Sequence, residues 1–231
     1  MVHLKVNYVL LLIILSLAAT TSFHIPLRSK NLIPRPPRAS GSISVLHCTP
    51  SPSGVNILPP IQQQGVFFAC FSGIGLGSSL LAPMFHAIPT IPILSSLWHP
   101  ELLGLIFILA GASHFFVQDY TNIYPPQGTW GGLWRLPGTP KFHVYWTGVA
   151  ELLGGIGLFS SQSFLHSPQL ASTFSALLLG LSVAVYPSNL YMFTHGAELP
   201  KGVEMDNKGH AIRYAAQIVL CAVLLSMVEI P

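Results

Sequence analysis

Glu151 stands inside an apolar stretch, VYWTGVAELLGGIGLF (144–159), nine residues after Phe142. A helix rising ~1.5 Å per residue from there carries it about 13 Å into a hydrocarbon core ~30 Å thick. An ionisable group at that depth costs about 2.5–3.5 kcal/mol to insert, so it turns toward the bundle interior and takes a partner. Two readings follow: a carboxyl that is protonated, hydrogen-bonded and structural, or one that handles a proton or a ligand. His114, thirteen residues after Glu101, approaches the same half of the membrane from the preceding apolar segment. A buried acid beside an imidazole suits proton-coupled chemistry, which makes Glu151 and His114 the candidate catalytic pair. Tyr124, Tyr186, Asn189, Tyr191 and Arg213 come to the same boundary from other segments, joined by Asp119, Tyr120, His143, Tyr145 and His195, and polar groups converging in this way suggest a ligand pocket. Haem ligation by His114 with His143 or His195 can be drawn, but no spacing specifies it. Cys48, Cys70 and Cys221 form no CxxC pair, and no metal site is expected.

The elements that hold these residues must be membrane helices. Of 231 residues 51% are apolar and 7% charged, with a mean hydropathy of +0.59. An ordinary soluble domain carries about 25% charged residues. The ten Lys and Arg form no dense basic stripe, which argues against a nucleic-acid partner; the bilayer is the expected one. Four segments have the length and polarity of spans, over 101–117, 142–160, 170–193 and 211–228. A fifth, VFFACFSGIGLGSSLLA (66–82), lies at the lower limit of length and ends at Pro83. With five spans, loop parity places Arg28, Lys30, Arg35, Arg38, Arg135, Lys141, Lys201, Lys208 and Arg213 on one side and no Lys or Arg on the other, as the positive-inside rule asks. With four, segment 66–82 belongs to the presequence or lies in the interface. The expected fold is all-α, a polytopic membrane helix bundle of four main transmembrane helices plus an extra N-terminal one. Gly73 with Gly77, and Ala150 with Gly154 beside Gly155 and Gly157, mark close helix packing. Trp98, Trp130, Trp134 and Trp146 fall near span ends, as an interfacial belt would place them. Pro187 is expected to unwind its helix and bare backbone carbonyls beside Asn189.

Ahead of these segments, Lys5 precedes an apolar run of about 12 residues and then small residues at Thr20 and Ser22, the pattern of a cleavable signal peptide over 1–22. Residues 23–65 open with basic, Ser-rich sequence, and no acid occurs before Glu101, as in a transit peptide; a disordered linker is the alternative. TTSF (20–23), with Phe23 after the expected cut, resembles the bipartite plastid presequence of algae with complex plastids. That resemblance implies a multi-pass protein of a plastid membrane, with the endomembrane system as the alternative.

Four blocks then occur in order: GASHFFVQDYTNIYPP (111–126), VYWTGVAELLGGIGLF (144–159), VAVYPSNLYMF (183–193) and AIRYAAQIVL (211–220). Together they resemble the DoxX-like family of small integral membrane proteins, four-helix bundles known mainly from bacteria. The matching positions are His114, Tyr124, Pro125, Pro126, Gly148, Glu151, Leu152, Gly154, Pro187, Asn189, Tyr191 and Arg213. The resemblance implies a four-helix membrane domain over 99–231, preceded at 66–98 by an additional helix and loop that the short bacterial form lacks. It further implies redox-linked work, since family members include a quinone-reducing thiosulfate oxidoreductase and thiol-linked complexes. A quinone is then the expected ligand, and its electrons must come from a redox partner protein because the chain carries no flavin, iron–sulfur or dithiol motif. The competing expectation is a non-catalytic membrane scaffold or small-molecule carrier.

Overall fold

The computed structural model describes residues 53–87, 99–117, 120–129, 132–196 and 205–228. The signal peptide, most of the expected transit segment, Trp98, Asp119 and Trp130 lie outside these residues. The described chain is all-helical, with no strand. Its helices are α1 (Pro60–Ala87), α2 (Pro100–Phe116), the short α3 (Tyr120–Ile123), α4 (Pro140–Ser163), α5 (Pro168–Tyr191) and α6 (Asn207–Ser226). A 3₁₀ turn, Leu133–Arg135, precedes α4, and a π-helical turn, Met192–Gly196, extends α5.

Three of these are long and apolar enough to cross a membrane: α1, α5 with its π turn, and α6. Large apolar side chains on α1, α4 and α5 point outward, among them Ile61, Leu76, Leu80, Leu153 and Leu177, each at least 60% exposed. Such a surface fits lipid and not water. Helix α2 is apolar but has 17 residues. Helix α4 has 24, yet carries Lys141, His143 and Glu151 and falls outside the three.

The helix starts follow from local chemistry. Proline occupies the first helical position of α2, α4 and α5, where its missing N–H costs nothing. The side chains of Thr139, Ser167 and Asp206 cap α4, α5 and α6 by accepting from Phe142, Leu170 and Gly209 N–H groups. Helix α1 begins six residues ahead of its expected start. The Gln63 amide holds the preceding turn there by donating to the Asn56 and Leu58 carbonyls at 2.9 and 3.0 Å. It also runs through Pro83, which was expected to end it. Proline removes one backbone bond, and four residues from a helix end few bonds depend on it.

Packing builds two centres. Helices α2 and α4 run antiparallel at backbone contact. A Cβ added at Gly104 would stand 2.6 Å from Phe159 N, at Gly111 2.6 Å from the Gly148 carbonyl, and at Gly155 2.7 Å from the Gly104 carbonyl. Two glycines seven residues apart on each helix thus face one another, two turns apart. Gly154 and Gly157 receive Leu178 and Phe174 of α5. On the other side α1 lies parallel to α6. Its GxxxG pair is filled from within the chain, Gly73 by Tyr214 and Gly77 by Ile218, and Tyr214 donates to the Cys70 carbonyl at 3.0 Å. One apolar core joins Leu103, Phe107, Leu158, Leu178 and Leu224. The other joins Phe67, Ile74, Tyr186, Leu190 and Cys221.

Candidate functional site

The C-terminal end of α2 and the first half of α4 meet where the glycines let their backbones touch. A Cβ at Gly148 would stand 2.6 Å from the His114 Cβ, so the absence of a side chain there is what admits the imidazole between the helices. His114 Nδ1 lies 2.8 Å from the Val144 carbonyl, an acceptor only, so Nδ1 carries the hydrogen. Nε2 is left to face Glu151, with Oε2 at 3.4 Å. Two protonation states fit this contact: the carboxyl holds a proton while Nε2 presents a lone pair, or Nε2 holds it and an ion pair results. The contact is loose. Glu151 Oε2 has no hydrogen-bond partner among the described residues. The two side chains are 17% and 14% exposed, open enough for a ligand atom or a water and too enclosed for a solvated pair.

Aromatic residues wall this pair. Tyr120 sets its ring edge-on to His114 at 5.1 Å and shares a hydrogen bond with Ser113 at 3.2 Å. The buried Tyr124 hydroxyl faces Thr147 and the Glu151 carboxyl. Burial pushes this phenol up to about 12, the Thr147 hydroxyl opposing the rise and the Glu151 charge adding to it. Tyr124 stacks on His143 at 5.9 Å and meets Trp134 edge-on at 5.8 Å. His143 Nδ1 accepts from the Trp146 indole at 3.2 Å, while its Nε2 is buried without a hydrogen-bond partner. Trp134, expected in the interfacial belt, is instead 1% exposed. The 3₁₀ turn folds it inward under Tyr124, with Gly132 in the left-handed region at φ 75° giving the chain its bend.

The other expected ligand residues gather at the junction of α5 and α6. Asn189 Oδ1 accepts from Arg213 Nη2 at 2.5 Å, and Tyr186 lies within electrostatic reach of the same guanidinium. Tyr120 is within that reach too, so it stands between the two groups of residues. Tyr191 departs from them and stacks on His195 at 4.4 Å. Helix α5 is not unwound at Pro187, as had been expected; it continues to Tyr191 and then widens into the π turn. Ser188 donates to the Val185 carbonyl at 2.8 Å and Thr194 to that of Leu190 at 2.9 Å, so side chains take up carbonyls near this break.

For haem, the expected pairs need His114, whose Nδ1 is spent on the Val144 carbonyl and whose Nε2 faces Glu151. No group of three metal-ligating side chains exists among the described residues. Sequence reasoning did not single out Thr147, Trp134 or His210 for the site. It also passed over Gly104 and Gly111, although their seven-residue spacing repeats that of Gly148 and Gly155 and was there to be read. Comparison with protein-family models, with curated proteins and with solved structures finds no match for this chain.

Proposed function

We propose that the chain is a DoxX-like, multi-pass membrane protein that binds a quinone between α2, α4 and the loop after α2, and exchanges protons with it through Glu151 and His114. The observation that carries this reading is the 3.4 Å approach of His114 Nε2 to Glu151 Oε2, in a niche where that oxygen, the Tyr124 hydroxyl and His143 Nε2 are buried without hydrogen-bond partners among the described residues. A head group with two carbonyl oxygens suits such donors and acceptors, and the rings of Tyr120 and Tyr124 suit its flat face. A bound quinone would supply the two-electron chemistry. The chain supplies the protons, and electrons come from a redox partner protein.

All five long helices cross the bilayer in this reading, consistent with the antiparallel α2–α4 and α4–α5 pairs and the parallel α1–α6 pair. The membrane is that of a plastid, on the strength of the TTSF presequence pattern. A second reading, a small-molecule carrier, draws on the π turn that interrupts α5 beside Asn189 and Arg213.

The test is binding of a short-chain quinone analogue to the purified protein, followed through the fluorescence of Trp134 and Trp146, with mass spectrometry of the organic extract for co-purified quinone. Saturable quenching whose midpoint Glu151→Gln and His114→Ala raise by about tenfold or more is the expected result. No quenching and no extracted quinone would remove the quinone reading. Transport of a solute by the protein in vesicles, unaffected by Glu151→Gln, would put the carrier in its place.

A further inference from the structure

Arg213 is 9% exposed, and no carboxylate among the described residues lies within ion-pair distance of it. Its Nη2 donates to Asn189, while Nη1 rests on the thioethers of Met192 at 3.0 Å and Met205 at 3.5 Å. Thioether sulfur is a weak acceptor and carries no charge, so these contacts leave the cation uncompensated. The guanidinium Nε is buried with no hydrogen-bond partner. One turn earlier on α6, His210 is 8% exposed, its Nε2 equally without a partner and its ring against Phe193 at 5.1 Å. Positions 210 and 213 share a helix face. Asp206, the acid preceding them in sequence, has its Oδ1 engaged at 2.8 Å in capping Gly209 N–H.

We infer that Arg213 and His210 form an oxyanion site for a phosphate group, at the end of the bundle where the π turn after α5 meets the start of α6. The unused Arg213 Nε–H, with His210 Nε2 on the same helix face in the tautomer that carries its hydrogen there, supplies donors of the kind that phosphate oxygens accept from. Arg213 lies two residues into the apolar stretch 211–228, about 3 Å past its start, at the boundary between headgroups and hydrocarbon in the five-span reading. Exposed Lys208 and the positive end of the helix add to the attraction. The phosphate can belong to an anionic lipid headgroup or be free. This site is independent of the proton chemistry at Glu151.

Thermal unfolding of the purified full-length protein tests it, with inorganic phosphate against chloride at equal ionic strength, and with phosphatidylglycerol vesicles against neutral galactolipid vesicles. The expected result is a rise in Tm of about 5 °C with a phosphate-bearing probe. Arg213→Met should remove the rise and His210→Gln should halve it; if Arg213→Met does not accumulate, the His210 variant carries the test. A rise with the lipid alone assigns a headgroup, and a rise with inorganic phosphate assigns the free ion. No rise with either probe overturns the proposal, as does a full rise in the variants. A loss of Tm of similar size on Asp119→Asn, Glu198→Gln or Glu204→Gln in ligand-free detergent would make the chain its own counter-ion and overturn it too.

Discussion

Two histidine–carboxylate contacts sit on the same helix pair, one at each end. His99 Nδ1 meets Glu101 Oε2 at 3.2 Å where α2 begins, and Glu101 also accepts from Ser163 at the end of α4, at 2.9 Å. His114 meets Glu151 at 3.4 Å where α2 ends. Chemistry and distance are nearly the same, but the side chains of the first pair are 43% and 40% exposed and those of the second 17% and 14%. Exposed, such a pair contributes about 0.2–1 kcal/mol and its charges are met by solvent. Enclosed, the facing atoms His114 Nε2 and Glu151 Oε2 have little solvent to share a proton with, so where the proton sits becomes a property of the site. Burial, not residue type, separates a helix-end tether from a candidate proton relay.

The largest effect expected from this difference is on binding. Glu151→Gln should weaken a quinone analogue by about tenfold or more, the loss of one charge-assisted hydrogen bond, while Glu101→Gln changes it less than about twofold. Titration of tryptophan quenching measures both, and equal losses would break the comparison. Stability should follow the same order. His114→Ala strands the Glu151 carboxyl and should cost about 1–3 kcal/mol, against at most about 1 kcal/mol for His99→Ala, read from denaturant unfolding in detergent.

Glycine contacts sharpen the contrast. Gly148→Ala and Gly104→Ala each force a methyl group against the facing helix and should each cost about 1–3 kcal/mol. Only the first meets His114, so only it should also lower analogue affinity, by several-fold. A matching loss of affinity in Gly104→Ala would mean that helix spacing alone sets the niche. The smallest effect is alkaline. In the fold the Tyr124 phenol is raised to about 12, above the ~10 of an unfolded chain, so the native state holds its proton more tightly. Stability is untouched below pH ~10 and falls as pH climbs from there toward about 12, and Tyr124→Phe should remove that part of the fall. Tyrosinate absorbance of the two proteins, taken as a difference, checks it.

Helix positions were readable because they depend on quantities that add along the chain: apolar length, proline at the first turn, an oxygen cap. All five long helices lie where composition places them, with ends shifted by up to six residues. That His114 and Glu151 approach the same half of the bundle was readable from counting along two helices. Trp134 was misread because a position near a span end says nothing about which way a loop folds. The GxxxG of α1 was read as packing without a partner, and its partner is Tyr214 and Ile218 on a helix more than a hundred residues away.

The sequence by itself determined that this chain belongs with lipid, that its regular structure is helical, and that an acid and an imidazole must share one end of the bundle. Only the tertiary structure decided that Glu151 pairs with His114 and that Arg213 pairs with Asn189, with no carboxylate among the described residues in ion-pair reach. Each residue turns a helix by about 100°, so whether two side chains on different helices touch depends on the rotation of both about their axes. Here that rotation is set by Gly104, Gly111, Gly148 and Gly155 pressing two backbones together, a contact that exists only once the helices have met.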